Sequence, residues 1–272
     1  MPVSIHTSLG FWNPEGETME TTEQVILSFG LVAGTLALSL WQRLELTSSI
    51  LVAVGRSVLQ MIVFCYLIAV VFSLQSAIAT LIASALLIIV SSILTYNQIN
   101  EPIPFLLPMI MGSLVIGGLV TIGYTVLLVF PVKPWYAAQV IVPLVGILVS
   151  SSMSASAIAA EQLIKMLNAN RLEVETHLSL GARPDAAIAS YRRLAIRSAI
   201  MPQISALTVL GLGLLPNFMA GELLAGLHPF QAGAYQLLIL VMSLFATLLT
   251  TSLITIGISR QFFNLQDQLI QW

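Results

Sequence analysis

Charge is what this sequence has least of. Asp, Glu, Lys and Arg make up 8% of its 272 residues, where a soluble domain carries about one quarter because its water-facing surface needs them. So little charge cannot cover a globule of this length, which excludes an ordinary soluble fold. Cysteine is nearly absent. Cys65 stands alone, which rules out an intrachain disulfide framework and any cysteine-rich metal site. There is no G-x-x-x-x-G-K-[ST] phosphate loop, so any ATP chemistry would sit on another polypeptide. No aspartate and no histidine falls inside an apolar block, and the serines there have no evident base. An intramembrane enzyme is therefore not expected, nor is a catalytic site of any kind or a nucleic-acid partner.

What is present is apolar residues in long runs. They account for 57% of the chain, and the mean hydropathy is +0.96. Seven blocks have about the 20-residue length that crosses a hydrocarbon core: 24–41, 49–72, 76–95, 105–130, 136–157, 203–221 and 235–258. The fold class this predicts is an all-α polytopic membrane protein with about seven transmembrane helices. Residues 1–23 form an acidic extension and 24–272 the transmembrane domain. The region ahead of the first block carries Glu15, Glu17, Glu20 and Glu23 where a cleaved signal needs positive charge, so that block reads as a retained helix.

Lys and Arg set the orientation. Six of the ten lie between Lys165 and Arg197. If that region is cytoplasmic, alternation puts Arg43, Arg56 and Arg260 on the same side and leaves Lys133 alone outside. The N-terminus is then external and the C-terminus cytoplasmic. Residues 158–201 are too polar to span and too regular for a slack linker. Gly181 ends one helical stretch and Pro184 opens the next, a stop–start pairing that makes a sharp helix–turn–helix. Asp185 in that first turn complements the helix dipole. Ile188, Tyr191, Ala195 and Ser198 share a face flanked by Arg192, Arg193 and Arg197, which suits a helix lying at the membrane surface.

Several polar groups are expensive in lipid. Arg56 either snorkels to the interface or pairs with Glu45 or Glu101, and Gln60 lies on the same face at i+4. Ser150, Ser151, Ser152, Ser154 and Ser156 crowd the fifth block, as packing residues or as a pathway lining. Pro216–Gly233 is too broken for a hairpin loop and predicts a re-entrant or half-helix element on the external side. Met219, Glu222 and His228 are the metal-binding groups available there.

Some of these motifs have a familiar arrangement. The stretch from Pro216 to Gln236 keeps Pro216, Met219, Gly221, Leu224, Gly226, Pro229, Ala232, Tyr235 and Gln236 of a pattern near Pro-Gly-Met-Met-Thr-Gly-Gln-Ile-Leu-x-Gly-x-x-Pro, then Ala and Tyr-Gln. It resembles the signature of the FetB-type permeases of ATP-binding-cassette transporters, a bacterial family implicated in iron export with plant relatives linked to aluminium tolerance. Arg56-x-x-x-Gln60, Pro143-Leu-x-Gly146 and the Glu175-to-Gly181 spacing look like the same family, over about residues 25–265. The chain departs from it at Ser150-Ser-Ser-Met153, at Asn217-Phe218 and at Glu222, where a glutamine is expected.

The resemblance implies a permease without its own cofactor, working as a homodimer in the cell inner (plasma) membrane. ATP and Mg would be held by a separate ATP-binding-cassette subunit, and a metal ion, iron first, would be exported. It marks Glu175, Gly181, Arg183 and Pro184 as the coupling surface for that subunit. Arg56, Gln60, Ser151, Met219 and Glu222 become pathway candidates, and Glu222 with His228 candidate metal ligands. The alternative is an ion-coupled carrier or channel with no ATPase partner.

Overall fold

The computed structural model describes residues 18–43, 45–99, 103–129, 136–210, 216–264 and 268–269, with side chains from residue 29 onward. The expectations for residues 1–17, Glu101 and Lys133 lie outside them. Among the described residues the regular structure is helical, with isolated bridge residues at Leu210 and at the Phe263–Leu269 pair. It divides into two compact units, Met1–Ala69 and Val70–Trp272.

The first unit holds α1 (Thr18–Trp41) and most of α2 (Thr47–Leu74). Helix α1 starts ahead of the predicted residue 24. No described side chain of α2 before Val71 is buried. A helix that is apolar all round and buries so little of itself needs lipid or another chain as its solvent.

The second unit contains α3 (Ala77–Gln98), α4 (Leu106–Tyr124) with a π-helical turn at Thr125–Val129, and α5 (Ala138–Ala169). The short α6 (Arg171–Ser179) and α7 (Pro184–Ala187) follow, then α8 (Ala189–Val209), α9 (Asn217–Leu224) and α10 (Pro229–Gln261). At 32 and 33 residues, α5 and α10 are each about 50 Å long, so their ends outrun a hydrocarbon core of about 30 Å. They pack on each other. Helix α3 lies against α4 and α5, while α4 and α8 each pack on both α5 and α10.

Among the described residues, five helices are long and apolar enough to cross a membrane: α2, α3, α4 with its π turn, α5 and α10. They account for five of the seven predicted blocks. The first block coincides with a shorter apolar helix, Phe29–Trp41. The sixth falls on the second half of α8 and the start of α9, and residues 211–215 between them lie outside the described set.

Two expectations about 184–201 are corrected. The proline start at Pro184 and the polar character of 158–201 predict one helix that runs to about residue 200, ahead of the span at 203–221. Instead a break at Ile188 divides α7 from α8, and α8 runs on through Pro202 to Val209. Proline removes one ladder bond but does not end a helix held by its neighbours. Next to Pro202, the Gln203 amide donates to Thr247 Oγ1 of α10 at 2.8 Å. The second correction concerns the shared face. Ile188 and Ala195 are fully buried and Tyr191 is half-buried, in one apolar cluster with Leu163, Ile164 and Ile258. That face packs on protein and not on lipid, and Ser198 is exposed.

Helix α10 buries a run of hydroxyls: Thr247, Thr250, Thr251, Thr255 and Ser259. Four of them, Thr250, Thr251, Thr255 and Ser259, donate to the carbonyl four residues back on their own helix. Self-satisfied hydroxyls and small residues let helices approach closely. The tightest approach is at Gly117 of α4, where a Cβ would collide with Thr250 Oγ1 and crowd the Ala246 carbonyl. Gly117→Ala is therefore expected to push α4 off α10 and cost about 1–3 kcal/mol, the usual range for overpacking. Thermal unfolding in detergent checks this, and adding Thr250→Ala should restore part of the loss.

Candidate functional site

The two ends of the second unit carry different chemistry. At one end α6 is mounted on the bundle. Val174 is fully buried and Leu178 packs beside it, in the same cluster as Leu106, Leu167, Ile188 and Phe262. Tyr191 of α8 adds a hydrogen bond to Glu173 of α6. Burial first, and then the Glu173 carboxylate, holds the Tyr191 phenol above its ordinary value of 10.0, so it stays a neutral donor. On the far side of α6, Leu172 is 79% exposed, Leu180 is 81% exposed, and Thr176 lies exposed between them. At spacings of four these three residues share one face.

Gly181 closes α6 as the sequence predicts. Its φ is +85°, its N–H bonds Leu178 O at 2.9 Å, and the N–H of Ala182 bonds His177 O at 3.0 Å. This is a Schellman ending. Arg183 then takes an extended conformation and Pro184 starts α7. Glu175 is held by Arg171 of its own helix at 2.6 Å, both half-exposed. The structure therefore brings Glu175, Gly181, Arg183 and Pro184 together on one short helix and its turn. Leu172 and Leu180 were missed. In a sequence so rich in leucine, only the tertiary packing tells the inward residues from the outward ones.

The same stop–start device recurs at the opposite end, about 35 Å away along α10. Gly226 has a φ of +87°. Its N–H bonds Leu223 O at 3.0 Å, and that of Leu227 bonds Glu222 O at 3.0 Å. His228 is then the extended cap residue and Pro229 opens α10. Gly-Ala-Arg-Pro at 181–184 and Gly-Leu-His-Pro at 226–229 are two copies of one turn. The predicted broken element is thus a short helix, a sharp turn and a long helix.

The second turn brings α9 back against α5 and α10 around a cleft of about 320 Å³. Gln139, Pro143 and Ile147 of α5 line it, with Phe218 and Glu222 of α9 and Tyr235 and Ile239 of α10. Pro143 has no N–H, so it offers no ladder donor to the Gln139 carbonyl. Gln236 is buried and accepts the Met219 N–H at 3.2 Å, which ties the start of α9 to α10. Met219 is half-buried and approaches Gly233. Glu222 is half-buried, and its buried Oε2 has no hydrogen-bond partner among the described residues.

The remaining candidates stand apart from this cleft. His228 is exposed, stacks on Phe230 with ring centroids 5.7 Å apart, and accepts the Phe230 N–H through Nδ1 at 3.4 Å. It caps α10 and does not line the cleft. Among the described residues, no group of three His, Cys, Asp or Glu side chains is placed to hold a metal ion. Ser151 is half-buried and donates to Leu148 O of its own helix at 3.0 Å. Ser156 is fully buried, and its hydroxyl has no partner. In the first unit Arg56 and Gln60 are both exposed on α2, and among the described residues Arg56 has no ion-pair partner.

Long apolar helices, a rigidly mounted polar helix at one end and a carboxylate-bearing cleft at the other define a multi-pass helical membrane protein. The chain belongs to the uncharacterised protein family UPF0014, which it matches over residues 22–263. It is 38% identical over 241 residues to the UPF0014 membrane protein slr1647 of Synechocystis sp., covering 89% of this chain and 93% of that one. It is 26% identical over 250 residues to the probable iron export permease protein FetB of Escherichia coli, covering 92% and 95% of the two chains. The protein ALUMINUM SENSITIVE 3 of Arabidopsis thaliana is 29% identical over 219 residues, which is 80% of this chain and 78% of that one. No solved structure matches.

Proposed function

We propose that this chain is the membrane-spanning permease subunit of an ATP-binding-cassette transporter, exporting a metal ion at the expense of ATP hydrolysed on a separate subunit. Iron is the leading cargo, by likeness to the iron export permease. The observation that carries the coupling role is the mounting of α6. A connector loop would sit loosely on the surface. This helix anchors Val174 and Leu178 in one core with the ends of α4, α5 and α10, and it leaves Leu172 and its cap residue Leu180 exposed on the outer side for a partner. A push on Leu172 and Leu180 therefore reaches the transmembrane helices through packed side chains.

The mechanism is alternating access. Two copies of the chain offer two α6 surfaces to two ATPase subunits. Closure of the ATPases on ATP moves the 158–201 segments, and the bundles rock about their interface. Arg56, Gln60, Ser151, Met219 and Glu222 are the pathway candidates. On this reading the chain hydrolyses nothing itself, sits in the inner membrane and keeps its C-terminus in the cytoplasm.

Purifying the tagged chain from its own cells in mild detergent tests the reading. A stoichiometric ATP-binding-cassette subunit is expected, and Gly181→Val should remove it, because a β-branched residue resists a φ of +85°. A chain that stays alone even after crosslinking would overturn the proposal in favour of an ion-coupled carrier. With the partner in hand, stimulation of ATP hydrolysis by ferrous ion tests the cargo.

A further inference from the structure

The cleft at Glu222 has a composition that selects among cations. Among the described residues it holds one carboxylate, that of the half-buried Glu222, whose buried Oε2 has no hydrogen-bond partner there. Apart from Glu222, Gln139 and Tyr235, every lining residue is apolar. A buried carboxylate oxygen with nothing to bond is costly unless a positive group meets it. Among the described residues no Lys or Arg lines the cleft, so a cation entering from outside is the group that would meet this carboxylate.

A bare divalent ion is a poor match. Such an ion needs several oxygen, nitrogen or sulfur ligands to replace its water, and here a single carboxylate faces walls of valine, leucine, isoleucine and proline. An organic cation fits all the features at once. Its charge meets Glu222, its hydrocarbon body lies against Pro143, Ile147 and Ile239, and the rings of Phe218 and Tyr235 line the same cleft for cation–π contact. The volume, about 320 Å³, suits a compact ligand, at the lower end of small-molecule pockets.

We propose that this cleft is a binding site for a monovalent organic cation, a quaternary or protonated amine bearing a compact apolar body. The site goes beyond the permease reading, which counts Glu222 among its pathway candidates, and its occupant is tested apart from the transported ion.

The test uses the full chain in lipid nanodiscs without any ATPase, so its outcome is separate from that of partner capture. The probes are benzyltrimethylammonium, its uncharged counterpart benzyl alcohol, and Mn²⁺, each titrated by calorimetry. Saturable binding of benzyltrimethylammonium is expected, weakened at least tenfold by the isosteric Glu222→Gln and abolished by Ile147→Trp, which fills the cleft. Both variants should melt within a few degrees of the parent, and benzyl alcohol should bind parent and Glu222→Gln equally weakly. Absence of saturable binding, or equal binding to Glu222→Gln, would overturn the proposal. Mn²⁺ binding that depends on Glu222 and is not displaced by benzyltrimethylammonium would also overturn it, and would assign the carboxylate to a metal instead.

Discussion

A Leu172→Glu, Leu180→Glu double variant keeps the melting temperature of the parent and loses its ATPase partner. Both side chains are about four-fifths exposed, so charging them disturbs no packing within the chain. Exposed leucines are common and taken singly carry no message. These two lie eight residues apart, in the first turn and at the C-cap of α6, on the side away from buried Val174. Two exposed leucines on the outer side of a helix already anchored on its inner side make sense when a second protein covers them. Fully burying a leucine contributes about 1.5–3 kcal/mol. Losing two, and asking the partner to desolvate two carboxylates, lowers affinity by several orders of magnitude, since each 1.4 kcal/mol is about tenfold. Co-purification under identical detergent conditions reads the effect directly. Leu172→Met, Leu180→Met should bind as the parent does. If the charged variant still recovers a stoichiometric partner, α6 is not the docking surface.

Much of this architecture is written in local sequence, and what is not follows a physical rule. The spans at α2, α3, α4, α5 and α10 are legible because each holds a predominantly apolar block of membrane-crossing length. The turn at Gly181 is legible because a positive φ and a helix-starting proline each demand a particular residue. Continuity of α8 is not legible. Arg192, Arg193 and Arg197 followed by Pro202 read as the end of a surface helix, while contacts with α5 and α10 carry the helix through. The buried face at Ile188 and Ala195 has the right spacing for either lipid or protein, and only the fold decides between them. The cleft is the least legible feature. Glu222 stands out in the sequence, but Gln139 and Pro143 lie some eighty residues before it on another helix, and nothing local joins them. His228 shows the converse. Its side chain invites a metal reading, yet its position one residue before Pro229 is that of a helix cap.

Docking and transmission are separable, and Val174→Asp separates them. Val174 is fully buried on the inner face of α6, packed in the cluster with Leu163, Ile164, Leu167 and Ile188. A carboxylate there has no partner, and leaving a charge buried and unpaired costs about 3–5 kcal/mol. With the valine gone, α6 is held in its seat by half-buried Leu178, at most about 1.5–3 kcal/mol, and by the Tyr191–Glu173 hydrogen bond, about 0.5–1.5 kcal/mol. The cheaper response is for α6 to leave its seat while α4, α5 and α10 keep theirs. Hydrogen exchange should then show the amides of α6 losing protection and those of α5 and α10 retaining it, with helix content unchanged by circular dichroism. The outer face survives, so the ATPase should still be captured, with lower affinity. Its hydrolysis should no longer respond to transported ion, because the packed path from α6 to the spans has been cut. A conservative Val174→Ile should keep both capture and response. If Val174→Asp keeps a full ion response with α6 exchanging freely, then force enters the bundle elsewhere and the buried inner face of α6 is only an anchor.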